Sequence, residues 1–175
     1  MMVLVTGGSK SGKSRIAETI VTSSEQPRFY LATMMPFGEE AQAAIERHRA
    51  MRAGKGFVTV EKYTDIAQTE LPHNSAVLLE CIGNLCANEM FSACAPNPAE
   101  KIIDGIAALA QKTSLLVIVT NQVGEDGGLY PTETMHYIKL LGQINRALAR
   151  QSDCVIEAVC GIPLVLKGEK PSCLS

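Results

Sequence analysis

Residues Gly7-Gly8-Ser9-Lys10-Ser11-Gly12-Lys13-Ser14 fit the spacing G-x-x-x-x-G-K-[ST], between an apolar run, Met1 to Thr6, and a helix-forming run that starts at Arg15. Strand, glycine-rich turn and helix in that succession are the context a phosphate-binding loop requires. The glycines let the backbone curl, so that successive N–H groups and the helix N-terminus converge on phosphate oxygens. Lys13 adds a mobile cation for the β- and γ-phosphates, and the Ser14 hydroxyl is placed to hold Mg²⁺. A chain that opens in this way points to an α/β fold that handles a nucleoside triphosphate.

Composition limits the rest. With 175 residues, of which 46% are apolar and 19% charged, the chain reads as one globular domain over residues 1–175, with enough apolar material for a full core. A formal charge of −2 and a pI near 5.9 argue against nucleic acid or a membrane surface as partner, because phosphate polymers require a basic footprint. The six cysteines, Cys81, Cys86, Cys94, Cys154, Cys160 and Cys173, form no C-x-x-C pair, so buried thiols are expected rather than disulfides or a zinc site. The N-terminus starts directly on a strand, and no apolar run approaches a bilayer span. The cytoplasm is the expected compartment.

Short β-rich runs alternate with helical ones, the pattern of a mostly parallel sheet with flanking helices. Strands are expected at Met2–Thr6, Arg28–Ala32, Phe57–Glu61, Val77–Glu80, Leu115–Thr120, Cys154–Ala158 and Pro163–Lys167. Helices are expected at Lys13–Thr22, Glu39–Met51, Asn84–Phe91, Ala99–Gln111 and Thr132–Arg150. The turn at Cys160-Gly161-Ile162 is too short for a crossover helix, so the last two strands should form an antiparallel hairpin at the C-terminal edge. Ligands of such sheets bind beyond the carboxyl ends of the strands, which selects the loops after Thr6, Ala32, Glu80 and Thr120.

Three of those places carry candidate chemistry. The run Ala76-Val77-Leu78-Leu79-Glu80 is an apolar strand ending in a carboxylate, the layout that supplies an acid to a P-loop Mg²⁺ site; the longer glutamate could instead reach a ribose hydroxyl or a base edge. Val119 to Gly124 ends another apolar strand, but Asn121-Gln122-Val123-Gly124 lacks the lysine and aspartate of the N-K-x-D guanine reader, which counts against a GTPase-like switch. The acidic stretch Glu125-Asp126-Gly127-Gly128 reads equally as a substrate lid or an ordinary turn. In the second helix Ile45, His48 and Met51 share a face, and His48 stands among Arg47, Arg49 and Arg52, which could clamp a triphosphate. On pattern alone His48 is either structural or catalytic. His73 and His136 read as surface residues.

Taken in order, Val3 through Arg15 with Ala17-Glu18, Tyr30-Leu31-Ala32-Thr33, Arg47-His48-Arg49, Leu78-Leu79-Glu80-Cys81, Asn88, Thr120 through Gly124 and Asn145 through Ala149 resemble the bifunctional adenosylcobinamide kinase / adenosylcobinamide-phosphate guanylyltransferase family of cobalamin biosynthesis. The resemblance runs through essentially the whole chain. It implies a RecA-like P-loop sheet assembled as a homotrimer, with sites near subunit boundaries. It implies phosphorylation of the corrinoid adenosylcobinamide from ATP or GTP, then transfer of GMP from GTP through a covalent histidine–GMP intermediate at the matching residue, His48. Nucleotide contacts carry over to Gly7, Gly8, Ser9, Lys10, Ser11, Gly12, Lys13 and Ser14, to Leu31, Ala32 and Thr33, to Arg49, Ala50, Met51 and Arg52, and to Glu61 and Glu80. Ser14 and Glu80 would serve Mg²⁺. A P-loop small-molecule kinase without guanylyl transfer is the alternative that the residues leave open.

Overall fold

The structure, a computed structural model, describes residues 1–124 and 127–174, the side chain of Glu40 excepted. Among these residues a sheet is built from β1 Met2–Thr6, β2 Arg28–Ala32, β3 Phe57–Glu61, β4 Ser75–Glu80, β5 Thr113–Val119, β6 Cys154–Val159 and β7 Ile162–Lys167. The spatial order is β3-β2-β4-β5-β1-β6-β7. Every pairing is parallel except β6 with β7, the expected edge hairpin.

Burial on both faces explains why the inner strands are continuous apolar runs, such as Val3-Leu4-Val5 and Ala76 to Leu79. Alternation then sorts their side chains. Leu4, Leu31, Val77, Leu79, Leu116 and Ile118 pack with α3 (Ile82–Ala87), α4 (Pro98–Lys112) and α5 (Thr132–Gln151). Val3, Val5, Tyr30, Leu78, Val117 and Val119 face α1 (Lys13–Thr22) on the other side. The remaining helix, α2 (Gly38–Arg52), links β2 to β3 and encloses only Arg52 among its described side chains. None of the described helices is long and apolar enough to cross a membrane.

Two expectations need correction. The helix expected over Asn84–Phe91 begins at Ile82, and its second half widens into a π turn at Asn88–Ser92, closed by the Ala93 N–H donating to the Asn88 carbonyl at 2.9 Å. Asn88 is drawn inward there, its amide donating to the carbonyls of Thr33 at 2.8 Å and Tyr63 at 2.9 Å. The thiols also divide. All six are unpaired, but while Cys81, Cys86 and Cys154 are buried, Cys94 and Cys160 are exposed. Both exposed cysteines occupy left-handed turn positions, with φ of 48° and 51°, where the chain turns at the surface. His73 and His136 are exposed. Of the acidic stretch read as lid or turn, Glu125 and Asp126 lie outside the described residues.

Candidate active site

The glycine-rich loop connects β1 to α1 at the carboxyl edge of the sheet. Two of its glycines are obligatory. Gly7 has φ 141°, and a Cβ there would sit 2.6 Å from the Ala158 carbonyl oxygen; Gly12 has φ 97°, with Gly161 Cα only 3.1 Å from where a Cβ would lie. The Gly161 N–H donates to the Ser11 carbonyl at 2.9 Å and the Gln122 N–H to the Gly7 carbonyl at 3.3 Å, so the β6–β7 turn and the segment after β5 brace the loop. No side chain caps α1 at Gly12, the condition under which first-turn N–H groups serve an anion. Lys13, 7% exposed, folds back so that its Nζ donates to the Gly8 carbonyl at 2.5 Å. Burial pushes its ammonium below the usual lysine range, with Cys81 and Glu80 opposing that shift.

Glu80 is the junction of the site. Its Oε1 accepts from the Ser14 hydroxyl and lies 3.8 Å from His48 Nδ1. Its Oε2 accepts from the Tyr30 hydroxyl at 3.2 Å. Strand register makes this possible: Ala32 pairs with Glu80, and alternation brings Tyr30, two residues earlier, to the α1 side of the sheet with Glu80. Burial, reinforced by the Glu80 charge, drives the Tyr30 phenol far above its ordinary range, so it remains a donor. Arg52 stacks on the same ring, its guanidinium carbon 3.3 Å from the centroid. Arg52 is 6% exposed, yet its Nε and Nη1 have no hydrogen-bond partner among the described residues, and neither has His48 Nδ1. An enclosed cation with open donors is costly unless an anion completes it.

Of the residues singled out from sequence, Ser9 through Ser14, Ala32, His48, Arg49, Met51, Arg52, Glu61 and Glu80 line one cleft of about 530 Å³. Ile45 and Met51 flank His48 on the cleft-facing stripe of α2, as their spacing implied. Other residues fall elsewhere. Gly7 is buried and Gly8 exposed within the loop, and neither lines the cleft; Ala50 is exposed and does not line it either. The Leu31 side chain is wholly enclosed against α3–α5. Thr33 is wholly buried, its hydroxyl donating to the Cys81 carbonyl at 2.9 Å and accepting from the Cys81 N–H at 2.8 Å. At the rim Arg49 pairs with Glu61 at 2.9 Å, and the Tyr63 hydroxyl takes the other Glu61 oxygen at 2.8 Å. Sequence reasoning missed Tyr30 as the brace of Glu80, and Asn84 and Asn121 as cleft-lining amides. Asn121 follows a selected strand end and was the one with a visible signal.

Fold and site together define a P-loop nucleotide-binding α/β protein. The fold is similar to an ATPase from the type III secretion system of pathogenic bacteria (TM-score 0.57, 13% identity, 99% of this chain and 60% of that one). It is also similar to a Pyrococcus horikoshii OT3 protein (TM-score 0.53, 10% identity, 97% and 87%). Residues 3–166 match the family described as cobinamide kinase / cobinamide phosphate guanyltransferase. The bifunctional adenosylcobalamin biosynthesis proteins CobU of Escherichia coli (strain K12) and Salmonella typhimurium (strain LT2) are 32% and 34% identical, each aligned over 95% of this chain and 100% of the relative. CobP of Pseudomonas aeruginosa, named as a protein of the same kind, is 28% identical over 97% and 99%. The chain belongs to this family and is an enzyme of its kind, a kinase and guanylyltransferase acting on cobinamide.

Proposed function

We propose that this chain phosphorylates the hydroxyl of adenosylcobinamide from ATP or GTP and then transfers GMP from GTP to that phosphate, with His48 as the nucleophile of the second step. The observation that carries the reading is that the candidate nucleophile and the phosphate cradle converge on one carboxylate: the Glu80 oxygen that accepts from the Ser14 hydroxyl lies 3.8 Å from His48 Nδ1. In the first step the γ-phosphoryl group passes to the acceptor hydroxyl, and the nucleoside diphosphate leaves. In the second, an unprotonated imidazole nitrogen attacks the α-phosphorus, the bond to pyrophosphate breaks, and a phosphoramidate to GMP forms. The acceptor phosphate then attacks that phosphorus, the N–P bond breaks, and His48 is returned with adenosylcobinamide-GDP as product.

Each neighbour has a part. Loop N–H groups and Lys13 stabilise charge on the transferred or expelled phosphates. The open donors of Arg52 suit a phosphate at the α2 end of the cleft. Ser14 Oγ and the Glu80 carboxylate, already in contact, are the hard oxygen donors that Mg²⁺ takes, and they would hold it. A bound Mg²⁺ neutralises phosphate charge. Residues 1–175 act as one domain in this reading, in the cytoplasm, where six unpaired cysteines are at home. The acceptor is a corrinoid, with no nucleic-acid or membrane partner. A homotrimer fits the apolar edge strand β7, which exposes Ile162, Leu164 and Leu166.

Intact mass spectrometry after incubation with GTP and Mg²⁺ tests the proposal, with wild type and His48→Ala compared before and after mild acid. A GMP adduct that is acid-labile and confined to wild type is expected. A stable His48→Ala protein that still carries the adduct overturns the nucleophile; wild type that binds GTP yet gains no adduct restores the kinase-only alternative.

A further inference from the structure

Beside the nucleotide cleft runs an apolar groove of about 450 Å³ to which the nucleotide reading gives no role. Its rims are the loop after β2, where Phe37 is 84% exposed, and the π turn after α3, where Phe91 is 55% exposed. Its floor includes the small side chains Ala41, Ala44 and Ala87. The Ser92 hydroxyl reaches Met35 Sδ at 3.8 Å, so the two rims touch. Two large, water-exposed aromatic side chains bordering a floor of small residues are an expensive surface to leave open, and a π turn is an unusual helix geometry that marks functional places.

The groove is continuous with the cleft, since Met34 and Asn84 line both. The continuity has a direction. Ala41, Ala44, Ile45 and His48 follow i, i+3, i+4, i+7 spacing and form one stripe of α2; the first two line the groove and the last two the cleft. Ala44 and His48 are one turn apart, ~6 Å along the axis. A molecule lying in the groove therefore has its end at His48. The volume is too small to swallow a macrocycle, and the shape suits one face of a flat apolar ring whose arm extends along the helix.

We propose that this groove seats the corrin ring of the acceptor, with the aminopropanol arm running along α2 into the cleft. The inference rests on the cobinamide reading above and adds where the corrinoid sits. The amide of Asn84 stands at the junction, where the carboxamide rim of a corrin needs polar partners. A second copy of the chain is the less suitable occupant, because the apolar edge for self-association lies at β7, at the opposite end of the sheet from β3.

The test uses the full chain and adenosylcobinamide, followed by the visible absorption of the corrin, in wild type and in Phe37→Ser/Phe91→Ser. Binding should weaken about tenfold or more, while the GMP adduct formed from GTP alone and the subunit mass in solution stay as in wild type. Unchanged corrinoid affinity in the folded double variant overturns the groove and leaves the proposed function standing. A changed subunit mass overturns it too, by assigning the groove to a second copy. If the double variant folds poorly, Ala44→Glu and Ala87→Glu obstruct the floor from separate helices, and retention of affinity by both is equally fatal. Wild type that gives neither adduct nor corrinoid binding defeats the functional reading itself.

Discussion

The two ends of the cleft are built to different standards. The phosphate end is set into the core: α1 buries Ile16, Ala17, Ile20 and Val21 against the sheet. The loop before it is tied to Ala158, Gly161 and Gln122 by close backbone contacts. The opposite end is α2, which encloses a single described side chain, Arg52. What holds it down is polar: the Arg52 stack on Tyr30, the approach of His48 to Glu80, and the Arg49–Glu61 pair at the rim. Local stability follows buried apolar contact. One end is thus a preformed cradle, and the other is a lightly fastened arm that carries His48. The proposed two-step reaction has a use for that division, since in it the cradle serves both steps and His48 only one.

The sharpest test removes the cradle's cation. Lys13→Ala should lower both the phosphorylation and the guanylylation rates, on the order of 10²–10³-fold, whereas His48→Ala lowers the second alone; separate assays of ADP and pyrophosphate release make the distinction. Equal loss of both activities in both variants would break the comparison. Hydrogen exchange addresses the fastening directly. Amides of α2 should exchange by local opening about 100-fold faster than those in the middle of α1, and equal protection would show α2 to be held as firmly as the core.

A third expectation concerns the π turn beside the cleft. Asn88→Ala removes two hydrogen bonds from a buried amide and strands the Thr33 and Tyr63 carbonyls. It should cost ~1–3 kcal/mol of unfolding free energy, read as a lower urea midpoint at unchanged slope.

The same division governs what could be seen in the sequence. The loop, the strands it needs and the edge hairpin were legible because each has a local signature: glycine spacing, apolar runs, a turn too short to cross over. Glu80 was visible as a charge at the end of a buried strand. Its partner Tyr30 was not, because the Tyr30–Glu80 contact depends on the register of β2 against β4, which no local pattern encodes. Arg52 had a signal as one arginine among several, but that it alone is enclosed and stacked follows from how α2 meets β2. The π turn was hidden as well, since Asn88, where it begins, is held by two carbonyls distant in sequence, which no local pattern encodes.

The smallest effect belongs to the rim and is the most exacting check on how lightly α2 is fastened. Arg49 and Glu61 are paired at 2.9 Å, but their side chains are 58% and 50% exposed. Solvent therefore screens their attraction, and ordering two long side chains consumes much of what is left. Arg49→Ala should change unfolding free energy by less than ~0.5 kcal/mol, with no further loss when salt is raised. A loss above ~1 kcal/mol would mean that the rim pair anchors the helix, and α2 would then have to be counted with the cradle rather than against it. A negligible loss leaves Arg52 on Tyr30 and His48 beside Glu80 as the contacts that keep α2 over the cleft.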